Sequence, residues 1–231
     1  MNFKEDLRKH FNILLTNEQL EMFEIYYKTL IEYNKHTNLT RIVYKEDVYY
    51  KHFYDSLTLS NHIFNEEASL LDMGSGAGFP SIPLKIIYPN LKVTIVDSSK
   101  KRINFLKELT TKLKLKDIKL FHDRIEVFAH KNLNKYDYVT ARALGHLNLI
   151  TEYAIPTLKV GGRFLAMKSL NVNNEINESD NAFKVLHAQI INQINLELPN
   201  DYGNRTILII EKKKHINGYP RKYSKMIKKP L

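Results

Sequence analysis

The sequence predicts an α/β protein, a doubly wound and mostly parallel sheet ending in an antiparallel hairpin, preceded by an N-terminal helical extension. Three observations predict it. From Ser69 onward, short apolar runs alternate with amphipathic stretches, the pattern of parallel strands joined by crossover helices. Glycines are sparse except at Gly74, Gly76 and Gly78, just after the first such run, and at Gly161 and Gly162. The last two apolar runs, "INQINLEL" and "RTILIIEK", are joined by the turn-forming "PNDYGN". A chain of 231 residues with 43% hydrophobic content can bury a core of this kind.

The elements follow in order. Up to about Leu59 the reading is helical: "NEQLEMFEIYYKTLIEYNK" sets Leu20, Phe23, Tyr27, Leu30 and Ile31 at three-to-four spacing, with Thr16 and Asn17 as candidate caps. "SLLDM" reads as the first strand, "IPLKIIY" as a short helix stopped by Pro89, and "KVTIVD" as the second strand. "SSKKRINFLKELTTKL" reads as a helix capped by Ser98 or Ser99, with Ile103, Leu106, Thr110 and Leu113 on one face. "DIKLFH", "YDYVTAR" and "GRFLAMK" supply further strands, with helices "RIEVFAH" and "NLITEYAIPTL" between them. A polar helix is expected around "NNEINESDNAFKVLHAQI" before the hairpin. The expected divisions are a helical extension over 1–68 packed on the core, an α/β core over 69–214, and a basic tail over 215–231.

Composition narrows the function. No run approaches the ~18 to 20 apolar residues needed to cross a bilayer, and "MNFKEDLRKHF" lacks a signal peptide's apolar stretch, so a cytoplasmic protein is expected. Zero cysteines exclude disulfides, thiolate catalysis and cysteine-ligated zinc; no metal site is expected. The net charge of +10 points to a polyanionic partner. Between Glu211 and Leu231 eight Lys or Arg face one Glu, so most of the surplus lies in the tail, where Tyr219 and Tyr223 interleave with the cations. That composition suits phosphate neutralisation with base stacking, although a merely solubilising tail would read the same way.

In an open α/β sheet, ligands bind beyond the carboxyl ends of the strands, and the turn after the first strand is the usual place. Here it reads "GSGAG", whereas dinucleotide sites prefer G-x-G-x-x-G with its amides facing a pyrophosphate. Asp72, expected at the lip, would repel that group by roughly 3 kcal/mol per unit charge at ~5 Å and an effective dielectric of ~20. A cationic ligand reverses the sign. S-adenosyl-L-methionine carries an ammonium and a sulfonium and no phosphate, so Asp72 would lie near its methionine end. Asp97 ends the second strand 19 positions after Gly78, the spacing of an acid that grips ribose hydroxyls, which suits NAD and the methyl donor alike. Either acid could instead simply cap the following helix. Glu126, in "HDRIEVF", could meet an adenine edge or be a solvated helix residue. Arg142, ending "YDYVTAR", faces the same crevice or makes a surface salt bridge.

With these residues in view, the chain resembles the ribosomal RNA small subunit methyltransferase G family, also called glucose-inhibited division protein B. The resemblance runs through "NLT" at Asn38 to Thr40, "HFYDSL" at His52 to Leu57, "LDMGSGAGFPSIPLKI", "VDSSKKRINFL", "HDRIEVF", "ARAL", "GGRFLAMK" and the closing "YPRK" and "KKPL". It implies a class I S-adenosylmethionine-dependent methyltransferase (Rossmann-like) fold, and methylation of N7 of one guanine in 16S rRNA, guanine 527 in conventional numbering, near the decoding site. Donor contacts are implied at Gly74, Phe79, Ile125, Glu126 and Arg142, with Asp97 added by the class I pattern; Gly76 belongs to the same turn. Ser81 stands where the family usually has glycine, and Ile125 where a smaller residue is usual.

Guanine N7 has a free lone pair and no proton, so methyl transfer to it needs alignment rather than a general base. His52, His122 and His146 are therefore read as structural or RNA-facing. The candidates for positioning the substrate are His52, Asp55, Ser56 and Lys168; the first three could instead brace the helical extension against the sheet, and Lys168 could reach phosphate, help order the rim of the site or be merely solvated. The expected partner is 16S rRNA or the assembling 30S subunit, with no membrane contact, and a monomer is expected.

Overall fold

A computed structural model describes residues 2–170 and 172–231. Seven strands form one sheet in the order β3-β2-β1-β4-β5-β7-β6: β1 (Ser69–Met73), β2 (Lys92–Asp97), β3 (Ile118–His122), β4 (Tyr136–Arg142), β5 (Leu158–Lys168), β6 (Ala188–Glu197) and β7 (Asn204–Lys212). The first five run parallel, and β7 pairs antiparallel with both β5 and β6. The expected parallel sheet with a terminal hairpin is therefore observed.

Side chains alternate across a strand, and the two faces of this sheet feed two separate cores. Leu70, Val93, Ile95, Tyr138, Leu165 and Ile207 face one core; Leu71, Val96, Val139, Phe164 and Leu208 face the other. The first is closed by the helical extension, α1 (Phe3–Phe11) and α2 (Asn17–Thr37), and by α5 (Ser81–Ile87) and α6 (Lys100–Lys112). The second is closed by α7 (Ile125–Lys131) and α8 (Leu147–Thr157).

Helix α2 begins at the expected cap. Gln19 N donates to Thr16 Oγ1 at 3.1 Å and Thr16 N donates to Gln19 Oε1 at 3.0 Å, so two otherwise orphaned amides are satisfied together. Helix α6 begins at Ser99, one of the two expected caps. Ser99 occupies the position without a side-chain bond, and its N–H donates to Asp97 Oδ1 at 2.8 Å. The expected polar helix is two, α9 (Val172–Glu178) and α10 (Asp180–Val185), broken at Ser179, and its final "AQI" belongs to β6. No helix among the described residues is long and apolar enough to cross a membrane.

Two segments outside the alternating core shape the site. Helices α3 (Lys45–Val48) and α4 (Asp55–Leu57) are joined without a break by a wider π-type turn over Tyr49–Tyr54. Such turns are frequent at functional sites. Residues 215–231, expected as a tail, lie against the second core: Ile216 and Met226 are buried there, and α11 (Tyr223–Lys228) carries Met226.

Candidate active site

Two adjoining cavities open at the carboxyl ends of β1, β2 and β4. The larger, about 350 Å³, is lined by Gly74, Asp97, Arg102, Glu126, Tyr153 and Tyr223 among others. The smaller, about 180 Å³, is lined by Thr40, His52, Gly76, Phe79, Arg102 and Arg142 among others. Gly74, Arg102 and Ala143 belong to both, so the two form one bent crevice. A groove of about 640 Å³ between α2, α5 and α6 carries none of the strand-end acids.

The glycine turn makes the crevice possible. Gly74 has φ +70°, and a Cβ there would sit 2.5 Å from Leu144 Cδ1, so no larger residue fits without displacing the opposite wall. Gly76 has φ +62°, and a Cβ there would meet nothing within 4 Å. From beneath, Tyr26 of α2 donates its hydroxyl to Ala77 O at 2.5 Å and fixes the turn.

Asp97 holds the turn from the neighbouring strand. Its Oδ2 accepts from Gly76 N at 3.1 Å and from Arg102 Nη1 at 3.3 Å. The acid expected to grip ribose thus lies in the larger cavity with Arg102 beside it. Ile125 and Glu126 line the same cavity, and Glu126 is paired with Arg124.

Asp72 is a correction. It is fully buried and lines neither cavity, so it cannot present its carboxylate at the lip. Its Oδ2 accepts from Ser81 N at 3.3 Å while Oδ1 has no partner, and burial pushes its pKa up to about 7. The carboxylates that line the larger cavity are those of Asp97, Asp123 and Glu126.

On the smaller cavity, the π-type turn places His52 and Asp55 three positions apart on one face, toward Arg142 at the end of β4. Arg142 Nη2 lies 2.7 Å from His52 Nδ1, and Arg142 Nη1 donates to Asp55 Oδ2 at 3.0 Å. An arginine can only donate, so its 2.7 Å contact, shorter than the 3.1 Å approach of Nδ1 to Lys51 O, assigns Nδ1 as the acceptor and leaves the proton on Nε2, which directs it to Thr40 Oγ1 at 3.1 Å. Burial, then the Arg142 charge, lowers the His52 pKa to about 3. The imidazole also stacks on Phe79 with centroids 4.4 Å apart. Asp55 Oδ1 takes a second guanidinium, Arg205 Nε at 3.0 Å, from the start of β7.

Three of the four positioning candidates do not line the crevice. Ser56 is buried and donates to His52 O at 2.5 Å, so it braces its own helix and cannot reach a substrate. Asp55, 2% exposed, is enclosed by its two arginines and acts on the site through them. Lys168 donates to Gly145 O at 2.9 Å and pairs with Glu175 at 2.6 Å; it ties the β4–α8 loop to α9 instead of standing free for phosphate. His52 alone of the four lines the crevice. Sequence reasoning missed Thr40, Arg102 and Arg205 as parts of the site. Thr40 lay within the quoted "NLT", whereas nothing local marks Arg205.

A family model described as rRNA small subunit methyltransferase G (GidB) matches residues 19–199. The chain belongs to that family. The Ribosomal RNA small subunit methyltransferase G of Acholeplasma laidlawii (strain PG-8A) is 49% identical over 220 residues, covering 95% of each chain. That of Bacillus anthracis (strain A0248) is 48% identical over 223 residues, covering 95% of this chain and 93% of the relative. Among solved structures, M. jannaschii TYW2 in complex with AdoMet aligns with TM-score 0.59 at 14% identity, covering 76% of this chain and 80% of that one. The YcgJ protein from Bacillus subtilis aligns with TM-score 0.54 at 16% identity, covering 71% of this chain and all of the other. These two share the fold.

As a member of the rRNA small subunit methyltransferase G family, the protein is an rRNA methyltransferase that uses S-adenosylmethionine. Its residues fit that donor. Asp97, Asp123 and Glu126 line the larger cavity and offer acceptors to hydroxyl, amino and cationic groups, while its two arginines are each already paired with one of these acids. A pyrophosphate would meet three carboxylates there.

Proposed function

We propose that this member of the family methylates N7 of guanine 527 in 16S rRNA, on the free rRNA or the assembling 30S subunit, without a general base. S-adenosylmethionine supplies an electrophilic methyl group. In this reading Gly74, Gly76, Asp97, Ile125 and Glu126 hold the donor, and Phe79 and Arg142 flank the junction where donor and base meet. His52 and Thr40 border the guanine side.

The observation that carries the base-free reading is the state of His52. It is the one side chain lining the smaller cavity that could accept a proton from a substrate, and Arg142 already occupies its acceptor nitrogen. With its pKa near 3 it is also a weak base. Methylation at a guanine N1 or exocyclic amine would require a proton to be taken; N7 requires none. Exclusion of water and orientation of the ring on the Phe79–His52 stack then carry the rate.

Labelled methyl transfer to 16S rRNA from an unmodified strain, mapped at nucleotide resolution, tests this. Label at N7 of guanine 527, with a single-turnover rate flat between pH 6 and 9, is expected. Label on another nucleotide overturns the site, and a rate that climbs tenfold per pH unit overturns the mechanism.

A further inference from the structure

The C-terminal segment was expected to reach outward to RNA, yet one of its two interleaved tyrosines faces the donor cavity. Tyr223 lines the larger cavity together with Asp97, Ile125, Glu126 and Tyr153. The Arg124 guanidinium lies 4.9 Å from the centre of its ring, on the side chain that leads from the β3 end into α7. Tyr223 lies outside residues 19–199, which the family model matches.

The placement is anchored. Glu152 of α8, 1% exposed, accepts from Arg221 N at 2.9 Å, Arg221 Nε at 2.8 Å and Arg221 Nη2 at 2.6 Å, two residues before Tyr223. Three residues beyond Tyr223, Met226 is fully buried in the second core. A charge-assisted fork on one side and a buried side chain on the other leave the tyrosine little freedom to swing away. The residue is 43% exposed and lines the cavity, so it supports little of the fold.

We propose that Tyr223 is a donor-binding residue: its ring, backed by Arg124, forms the outer wall of the nucleoside end of the cavity and makes the C-terminal segment part of the S-adenosylmethionine site. This rests on the assignment of the larger cavity to the donor. An aromatic face suits an adenine because stacking needs no particular hydrogen-bond pattern, and a flanking cation polarises the ring further. The donor then closes a site assembled from both ends of the core.

The test is titration calorimetry of the full chain with S-adenosylhomocysteine in the absence of RNA. Tyr223→Ala should weaken binding about tenfold, Tyr223→Phe should match the parent, and Lys225→Gln with Lys228→Gln, on the same helix but outside the cavity, should also match it. Tyr223→Leu keeps apolar bulk without the aromatic face and should lose affinity as Ala does, with the ligand-free unfolding midpoint unchanged. Parent-like affinity in both Tyr223→Ala and Tyr223→Leu overturns the proposal. Asp97→Ala separates the levels: if it abolishes binding while both Tyr223 variants bind normally, the cavity assignment stands and the role of Tyr223 falls. If Asp97→Ala also binds normally, the donor lies elsewhere and both fall.

Discussion

Asp55→Ala tests the bracing of Arg142 directly. The Asp55 carboxylate is buried and accepts from Arg142 Nη1 and Arg205 Nε, each at 3.0 Å. Burial raises its pKa against the pull of the two guanidiniums, which favour the charged form. Removing the carboxylate leaves two arginines, 20% and 26% exposed, facing one another without compensation. Breaking a buried ion pair from one side costs about 3–5 kcal/mol. In a domain of this size each kcal/mol lowers the unfolding midpoint by about 2–4 °C, so a fall of about 10 °C is expected. Urea unfolding at pH 7 supplies the free energies. Arg205→Met, added to Asp55→Ala, removes the surplus charge, so the pair should be at least 1 kcal/mol more stable than additivity allows. An Asp55→Ala loss below 1 kcal/mol, or strict additivity with Arg205→Met, would refute the idea that this triad carries buried charge.

Four further outcomes are expected. His52, held to a pKa of about 3 instead of its ordinary 6.5, stays neutral in the folded protein while the unfolded chain takes up a proton below pH 6.5. Stability is therefore lost as pH falls from 6.5 toward 3, by up to about 5 kcal/mol, and urea midpoints of His52→Gln should show a shallower acid limb. Asp72 has the opposite sign: with its pKa raised to about 7, the folded state keeps a proton that the unfolded state has released, so stability falls as pH rises from about 4 through 7. Asp72→Asn should gain on the parent by up to about 4 kcal/mol at pH 8 relative to pH 4 in the same assay. Asp97→Ala should weaken donor binding by at least about thirtyfold in calorimetry, because it removes the ribose acceptor and loosens Gly76 together. Replacing the exposed Lys225, Lys228 and Lys229 by Gln should flatten the slope of log RNA affinity against log salt by roughly 2, at ~0.7 per phosphate contact.

The strands were legible because a strand covered on both faces must be apolar along its whole length, and "SLLDM", "KVTIVD" and "YDYVTAR" are short runs bounded by glycine or polar residues. The break at Ser179 was not, since two short helices and one long one share the same periodicity when no proline or glycine separates them. Asp97 was legible from its spacing to the glycine turn. The burial of Asp72 was not, because sequence places a residue at a strand end but does not say whether its side chain turns to the crevice or under the following helix. The π-type turn has no local signature in "YYKHFY", and Arg205 and Tyr223 reach the site only through folding of distant segments. Three of the eight cations between Glu211 and Leu231 are also not free: Lys212 is buried on Leu158 O and Asn134 Oδ1, Lys213 pairs with Glu211 at 2.7 Å, and Arg221 is held by Glu152.

These placements divide the labour between core and flanks. The core supplies a glycine turn and strand-end acids. Two solved structures share its fold at 14% and 16% identity. The smaller cavity, proposed above as the guanine side, is built differently: Thr40 and His52 come from the helical extension, Phe79 stacks on both His52 and Tyr26, and Arg205 reaches Asp55 from the hairpin. A substitution in the core acids should therefore raise the donor's Kd whatever the acceptor, whereas one at His52 or Arg205 should leave donor affinity near that of the parent and impair transfer to RNA. The separation follows from the geometry, because the acids touch only the larger cavity and the His52–Arg142–Asp55–Arg205 chain borders only the smaller one. A His52 variant that lost donor and RNA turnover in equal measure would mean that the two cavities act as one site and that the extension serves the fold alone.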